Sequence, residues 1–181
     1  MNPRIVSLLA VASVVAVSAA AHARLARSGE AQVSFTALGP AGMSIVGTTS
    51  ELQVTETDQE LVVTVPLRTL DTKIDLRNKH MREKYLEVDK FPNAELRVAK
   101  SAITAPKGAP VSGKTTGNLT IHGQTKPTAF SYTAKNDGPR TAVSGAMHVN
   151  MKDFGIAQPG YAGITVKPEV DVAVSFGVQD N

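Results

Sequence analysis

The chain contains no cysteine and no tryptophan. Without cysteine there is no disulfide, no thiolate nucleophile and no sulfur ligand for a metal, so the fold must hold itself together by packing. A strong charge of either sign is also missing: 19 Lys and Arg face 16 Asp and Glu, a formal net charge of +3, part of it from Arg4 at the extreme N-terminus. A balance that even excludes an electrostatic nucleic-acid binder. Histidine is scarce, and His80, His122 and His148 stand at no H-x-H or H-x-x-x-H spacing, so no metal set is expected. Strand–helix–strand alternation is absent as well, and with it the nucleotide-binding α/β classes.

One long apolar run is present, from Ile5 to Ala21, preceded by a basic residue and followed by Ala21-His22-Ala23. A short apolar stretch ending in a small-x-small site is the pattern of a secretory signal, cut near Ala23. Residues 1–23 are read as that signal and 24–181 as a single exported domain, periplasmic or secreted. No cysteine follows the site to carry a lipid anchor.

In the remainder, apolar and polar residues alternate in short runs, the period of half-buried strands. Eight such runs occupy 31–38, 43–56, 59–67, 94–104, 111–123, 126–136, 140–151 and 168–178. Short turns join most of them, and closure would remove the exposed edges of so long a sheet. An all-β, extended eight-stranded antiparallel barrel follows. Two connections are long. Residues 68–93 carry Ile74, Asn78, Met81 and Tyr85 at helical spacing with Asp71-Thr72 as the candidate N-cap, and 152–167 reads as an irregular loop.

Several motifs invite catalytic readings that their context refuses. Gly108 to Thr115 fits the phosphate-binding pattern G-x-x-x-x-G-K-[ST]. However, no buried strand leads into it, Pro110 removes an N–H from the cradle, and β-branched residues follow where a helix should start. It is a turn entering the fifth strand, so no nucleotide is expected. Glu83 and Glu87 lie among Lys79, Arg82, Lys84 and Lys90, a solvated ion-pair face rather than a carboxylate dyad. No G-x-S-x-G elbow occurs. No catalytic residue and no cofactor is assigned, and the expected class is a binding protein, not an enzyme.

Leu70-Asp71-Thr72-Lys73, Lys79-His80-Met81-Arg82, the run Tyr85 to Pro92, the run Gly117 to Pro127 (GNLTIHGQTKP) and Lys152 to Ile156 occur in this order. Together they resemble the YceI-like family of bacterial periplasmic polyisoprenoid-binding proteins over about residues 31–178. The resemblance implies a lipocalin-like barrel holding an isoprenoid or other long-chain amphiphilic lipid. It places His80, Arg82, Tyr85 and Phe154 at the rim, near the ligand's polar end. Such a cargo is compatible with transient membrane contact and with a homodimer. An alternative function of the same pore is protective sequestration of lipophilic small molecules, such as quinones or antibiotics, without a specific cargo.

Strand alternation independently nominates one apolar face: Phe35, Val63, Val65, Leu96, Val98, Leu119, Ile121, Phe130, Tyr132, Met147, Val149, Val172, Val174 and Phe176. Facing a pore, these side chains suit a hydrocarbon, and the lack of tryptophan leaves room for one.

Overall fold

The computed structural model describes residues 24–161 and 164–180; the leader expected over 1–23 lies outside the described residues. The strands are β1 Leu25–Leu38, β2 Ser44–Thr49, β3 Gln53–Glu56, β4 Glu60–Pro66, β5 Asn93–Ala99, β6 Val111–Ile121, β7 Gln124–Asp137, β8 Arg140–Asn150, β9 Gly160–Tyr161, β10 Ile164–Thr165 and β11 Glu169–Asp180. Nine of them form one antiparallel sheet in the order β2-β1-β11-β8-β7-β6-β5-β4-β3.

The eight expected strands become nine because the run 43–56 breaks. Thr49 Oγ1 accepts from Glu51 N at 3.0 Å and shares a 2.7 Å hydrogen bond with Thr69 Oγ1. The side chain thus takes over a backbone donor at the corner, and the chain leaves β1 to pair with β4. Because the two edge strands are consecutive, the sheet must curl back on itself. Among the described residues no ladder joins β1 to β3, so the result is a half-barrel whose seam is sealed by side chains. Leu52 and Val54 pack against Ala31, Val33 and Val178, and Leu25 N donates to Glu56 Oε2 at 2.7 Å across the gap.

Hairpins follow local chemistry. Between β6 and β7, His122 and Gly123 take φ of 53° and 72°, the left-handed pair of a type I′ turn, whose twist matches that of the strands. The irregular loop expected over 152–167 contains a 3₁₀ turn at Met151–Phe154 and the small β9–β10 hairpin. The other long connection carries helix α1, Asp75–His80, continued by a π-helical turn at Met81–Tyr85. Its N-cap position falls on Ile74 and not on Asp71-Thr72. Asp71 is instead paired with Thr48, each backbone N–H reaching the other's carbonyl at 2.9 Å, which covers the free edge of β2.

Candidate functional site

Strands alternate their side chains between two faces, and the concave face of the curled sheet is apolar from end to end. It encloses a cavity of about 560 Å³. All fourteen residues nominated from the alternation stand on its wall: Phe35 on β1; Val63 and Val65 on β4; Leu96 and Val98 on β5; Leu119 and Ile121 on β6; Phe130 and Tyr132 on β7; Met147 and Val149 on β8; Val172, Val174 and Phe176 on β11. Leu25, Ala134, Val143 and Val178 close the wall at the far end. Among the described residues, the polar side chains on the wall are Thr72, Arg77, His80, Tyr85 and Tyr132; no carboxylate is among them.

The lumen stays open because large rings lie flat over glycines. Gly47 is the cross-strand partner of Phe35, and Gly113 that of Tyr132. A Cβ on Gly47 would stand 2.2 Å from Phe35 Cε1, and one on Gly113 would stand 2.7 Å from Tyr132 Cε1. Neither distance is tolerable, so any other residue would lever the ring into the cavity. Tyr132 is fixed at its other end, its hydroxyl accepting from Thr104 N at 2.9 Å. In the sequence both glycines sit in phase with the inward residues of β2 and β6.

The mouth is organised around α1. Buried Asn78 accepts from Thr72 N and Thr72 Oγ1, both at 2.8 Å, and donates to Asp71 Oδ1 at 2.8 Å. Asp71 also accepts from Lys73 N and Lys73 Nζ. The Lys73 backbone N–H, the Lys73 ammonium and the Asn78 amide hold its carboxyl far below the usual carboxylate range. On this frame Arg77 is positioned by Thr72, donating from Nε to Oγ1 at 2.8 Å and from Nη2 to the carbonyl at 2.5 Å. Arg77 and His80 border the cavity, and among the described residues neither forms an ion pair with a carboxylate.

Of the residues expected at the rim, His80 and Tyr85 line the cavity and two do not. Arg82 turns away and donates from Nη2 to Leu70 O at 2.7 Å, a brace beneath the helix. Phe154 is 2% exposed, packed with Leu119, Val149 and Ile156; its 3₁₀ turn folds the ring into the core.

Glu87 and His122 are drawn together from 35 residues apart. His122 Nε2 meets Glu87 Oε2 at 2.9 Å, Phe91 lies over the imidazole at 4.7 Å, and Lys90 binds the same carboxylate. Lys90, then His122, lower the Glu87 carboxyl from its ordinary value. Both Glu87 and His122 hold positive φ, and their pairing clasps the long connection to the β6–β7 turn. Lys114 of the phosphate-loop pattern lies exposed within β6, and the glycine before it serves Tyr132.

The YceI-like domain family matches residues 19–178. The chain belongs to the YceI-like family. Similar proteins include UPF0312 proteins of Pseudomonas syringae pv. syringae and Pseudomonas savastanoi pv. phaseolicola. Each is 35% identical over 127 residues, which span 65% of this chain and 62% of the relative. The match thus covers about three fifths of those relatives' length. Among solved structures, a polyisoprenoid-binding domain from Saccharophagus degradans, implicated in plant cell wall breakdown, superposes with a TM-score of 0.75 at 15% identity, covering 88% of this chain and all of that one. Burkholderia cenocepacia BcnA gives 0.65 at 17% identity, covering 81% of this chain and 95% of the other. At such identities the likeness establishes that the YceI-like chain shares their barrel fold.

Proposed function

We propose that this YceI-like chain is an exported carrier that holds a long-chain amphiphilic lipid, of the polyisoprenoid class, tail-first in its barrel. The observation that carries the reading is the unbroken apolar wall around about 560 Å³ of space. A methylene takes about the volume of a liquid water, ~30 Å³, so the cavity accommodates on the order of twenty carbons. At ~0.8 kcal/mol per buried CH₂ the gross gain is about 16 kcal/mol, against association costs of about 4–15 kcal/mol. A hydrocarbon of that length therefore gains more than its association costs, and the margin shrinks with every carbon removed. Arg77 and His80 offer donors to the polar end at the mouth.

A binding role also suits the chemistry of the wall. Among the described residues its ionisable groups are Arg77, His80, Tyr85 and Tyr132, none of them hydrogen-bonded to another. The cargo named for the structural neighbour from Saccharophagus degradans is of the class the cavity suits. Native mass spectrometry of protein purified without detergent tests the reading. One defined amphiphile per chain is expected; a mixture of unrelated lipophiles would favour general sequestration, and a protein that is empty and stays empty when offered prenyl lipids would overturn both.

A further inference from the structure

The exposed large hydrophobic side chains among the described residues are Leu38, Met43, Val46, Ile74 and Leu76. All five stand at one end of the barrel. Leu38 and Met43 flank the β1–β2 turn, Val46 lies on the outer face of β2, and Ile74 and Leu76 open the α1 segment. The antiparallel bridge from Thr48 to Asp71 brings the start of that segment to the edge of β2. Met43, Ile74 and Leu76 also line the cavity, so the outer apolar patch continues without interruption into the lumen.

Cations accompany the patch. Lys79 and Lys84 are exposed on the same stretch, Arg77 borders the mouth, and Lys167 N donates to Leu38 O at 2.6 Å. Among the described residues none of these four side chains forms an ion pair. The acids nearby are Asp71, already held by Lys73, and Asp75 and Glu83. An apolar ring with a cationic surround is the composition that inserts shallowly into an anionic bilayer. A second copy fits poorly, because a two-fold contact sets each patch against itself and brings like charges together.

We propose that this end of the barrel docks on an anionic membrane surface, with Ile74 and Leu76 dipping among the acyl chains and Lys79 and Lys84 over the headgroups, so that the mouth opens onto the bilayer. This rests on the lipid-carrier reading for its purpose but not for its test. Flotation with vesicles of equimolar phosphatidylglycerol and phosphatidylcholine measures it, with phosphatidylcholine alone as the comparison and thermal melting to confirm each variant folds. Binding is expected only to the anionic vesicles and to weaken with added salt. At about fivefold per lysine near a charged surface, Lys79→Gln with Lys84→Gln weakens it about twenty-five-fold while leaving extractable lipid unchanged. Ile74→Ser with Leu76→Ser abolishes flotation.

A parent protein that floats with neither vesicle, or variants that float as well as the parent, would overturn the proposal. So would a dimer in sedimentation that the apolar substitutions dissociate, since a second copy would then cover the patch. Patch-dependent flotation of a protein whose cavity proves empty would sustain the docking surface and count against the lipid cargo alone.

Discussion

Substituting tryptophan for Ile121 distinguishes a ligand cavity from a packed interior. Ile121 sits on the cavity wall near the end of β6, beside the turn that begins at His122. The indole adds about six heavy atoms, the volume of about six methylenes. If that volume comes from space a hydrocarbon would occupy, the ligand loses about 5 kcal/mol of burial, a fall of more than a thousandfold in affinity. The protein itself loses little, because the indole fills room already present. In a packed interior the same substitution would cost about 1–3 kcal/mol in stability, or roughly 2–12 °C in melting temperature for a domain of this size. The assay pairs thermal melting of the delipidated protein with mass-spectrometric measurement of the lipid that co-purifies. A melting temperature within about 2 °C of the parent, with lipid largely lost, is expected. A strong loss of stability would refute the cavity, and full lipid loading in a stable variant would refute the inward placement of Ile121.

Gly113→Val drives a side chain into Tyr132 and turns the ring into the lumen, so both lipid content and stability should fall, the latter by about 1–3 kcal/mol; an unchanged melt and unchanged loading would dismiss the role given to this glycine. Glu56→Gln weakens the seam between β1 and β3, at about 1–2 kcal/mol near neutral pH by denaturant titration. In the folded protein the Glu56 carboxyl lies below its ordinary value of 4.5, chiefly through the Leu25 N–H and then Lys100. Its stabilisation is therefore complete above 4.5 and is lost as pH falls through the lower folded value, so the parent should soften in acid more steeply than the variant. Lys114→Ala should change stability by no more than about 0.5 kcal/mol, and no saturable ATP binding should be seen in either form; binding present in the parent and lost in the variant would reinstate the phosphate-loop reading.

The lumen was legible because the parity of a strand fixes its inward face whatever its neighbours do. Leu119 and Ile121, or Val172, Val174 and Phe176, needed no knowledge of pairing to be placed together. The break in 43–56 left a trace in the same parity: inward residues are odd through Ile45, Gly47 and Thr49, then even at Leu52 and Val54. A corner or a bulge shifts that phase. Arg82 and Phe154 were misplaced because they lie in a π-helical turn and a 3₁₀ turn, where no simple period says which way a side chain points. The Glu87–His122 clasp and the Thr72–Asn78–Asp71 frame depend on contacts made only once the long connection has folded over the rim. The seats that Gly47 and Gly113 provide for Phe35 and Tyr132 depend on cross-strand register, which alternation along a single strand does not contain.

Photocrosslinking with isoprenoid probes reads the ligand's position directly. With a diazirine at the tail end, adducts located by proteolysis and mass spectrometry are expected at the far end of the barrel, on Leu25, Ala134, Val143 or Val178. With the diazirine next to the polar end they should move to the α1 segment, around Arg77 and His80. Adducts confined to outward-facing residues such as Lys114 or His148, or the same adducts from both probes, would contradict a chain held lengthwise in the lumen.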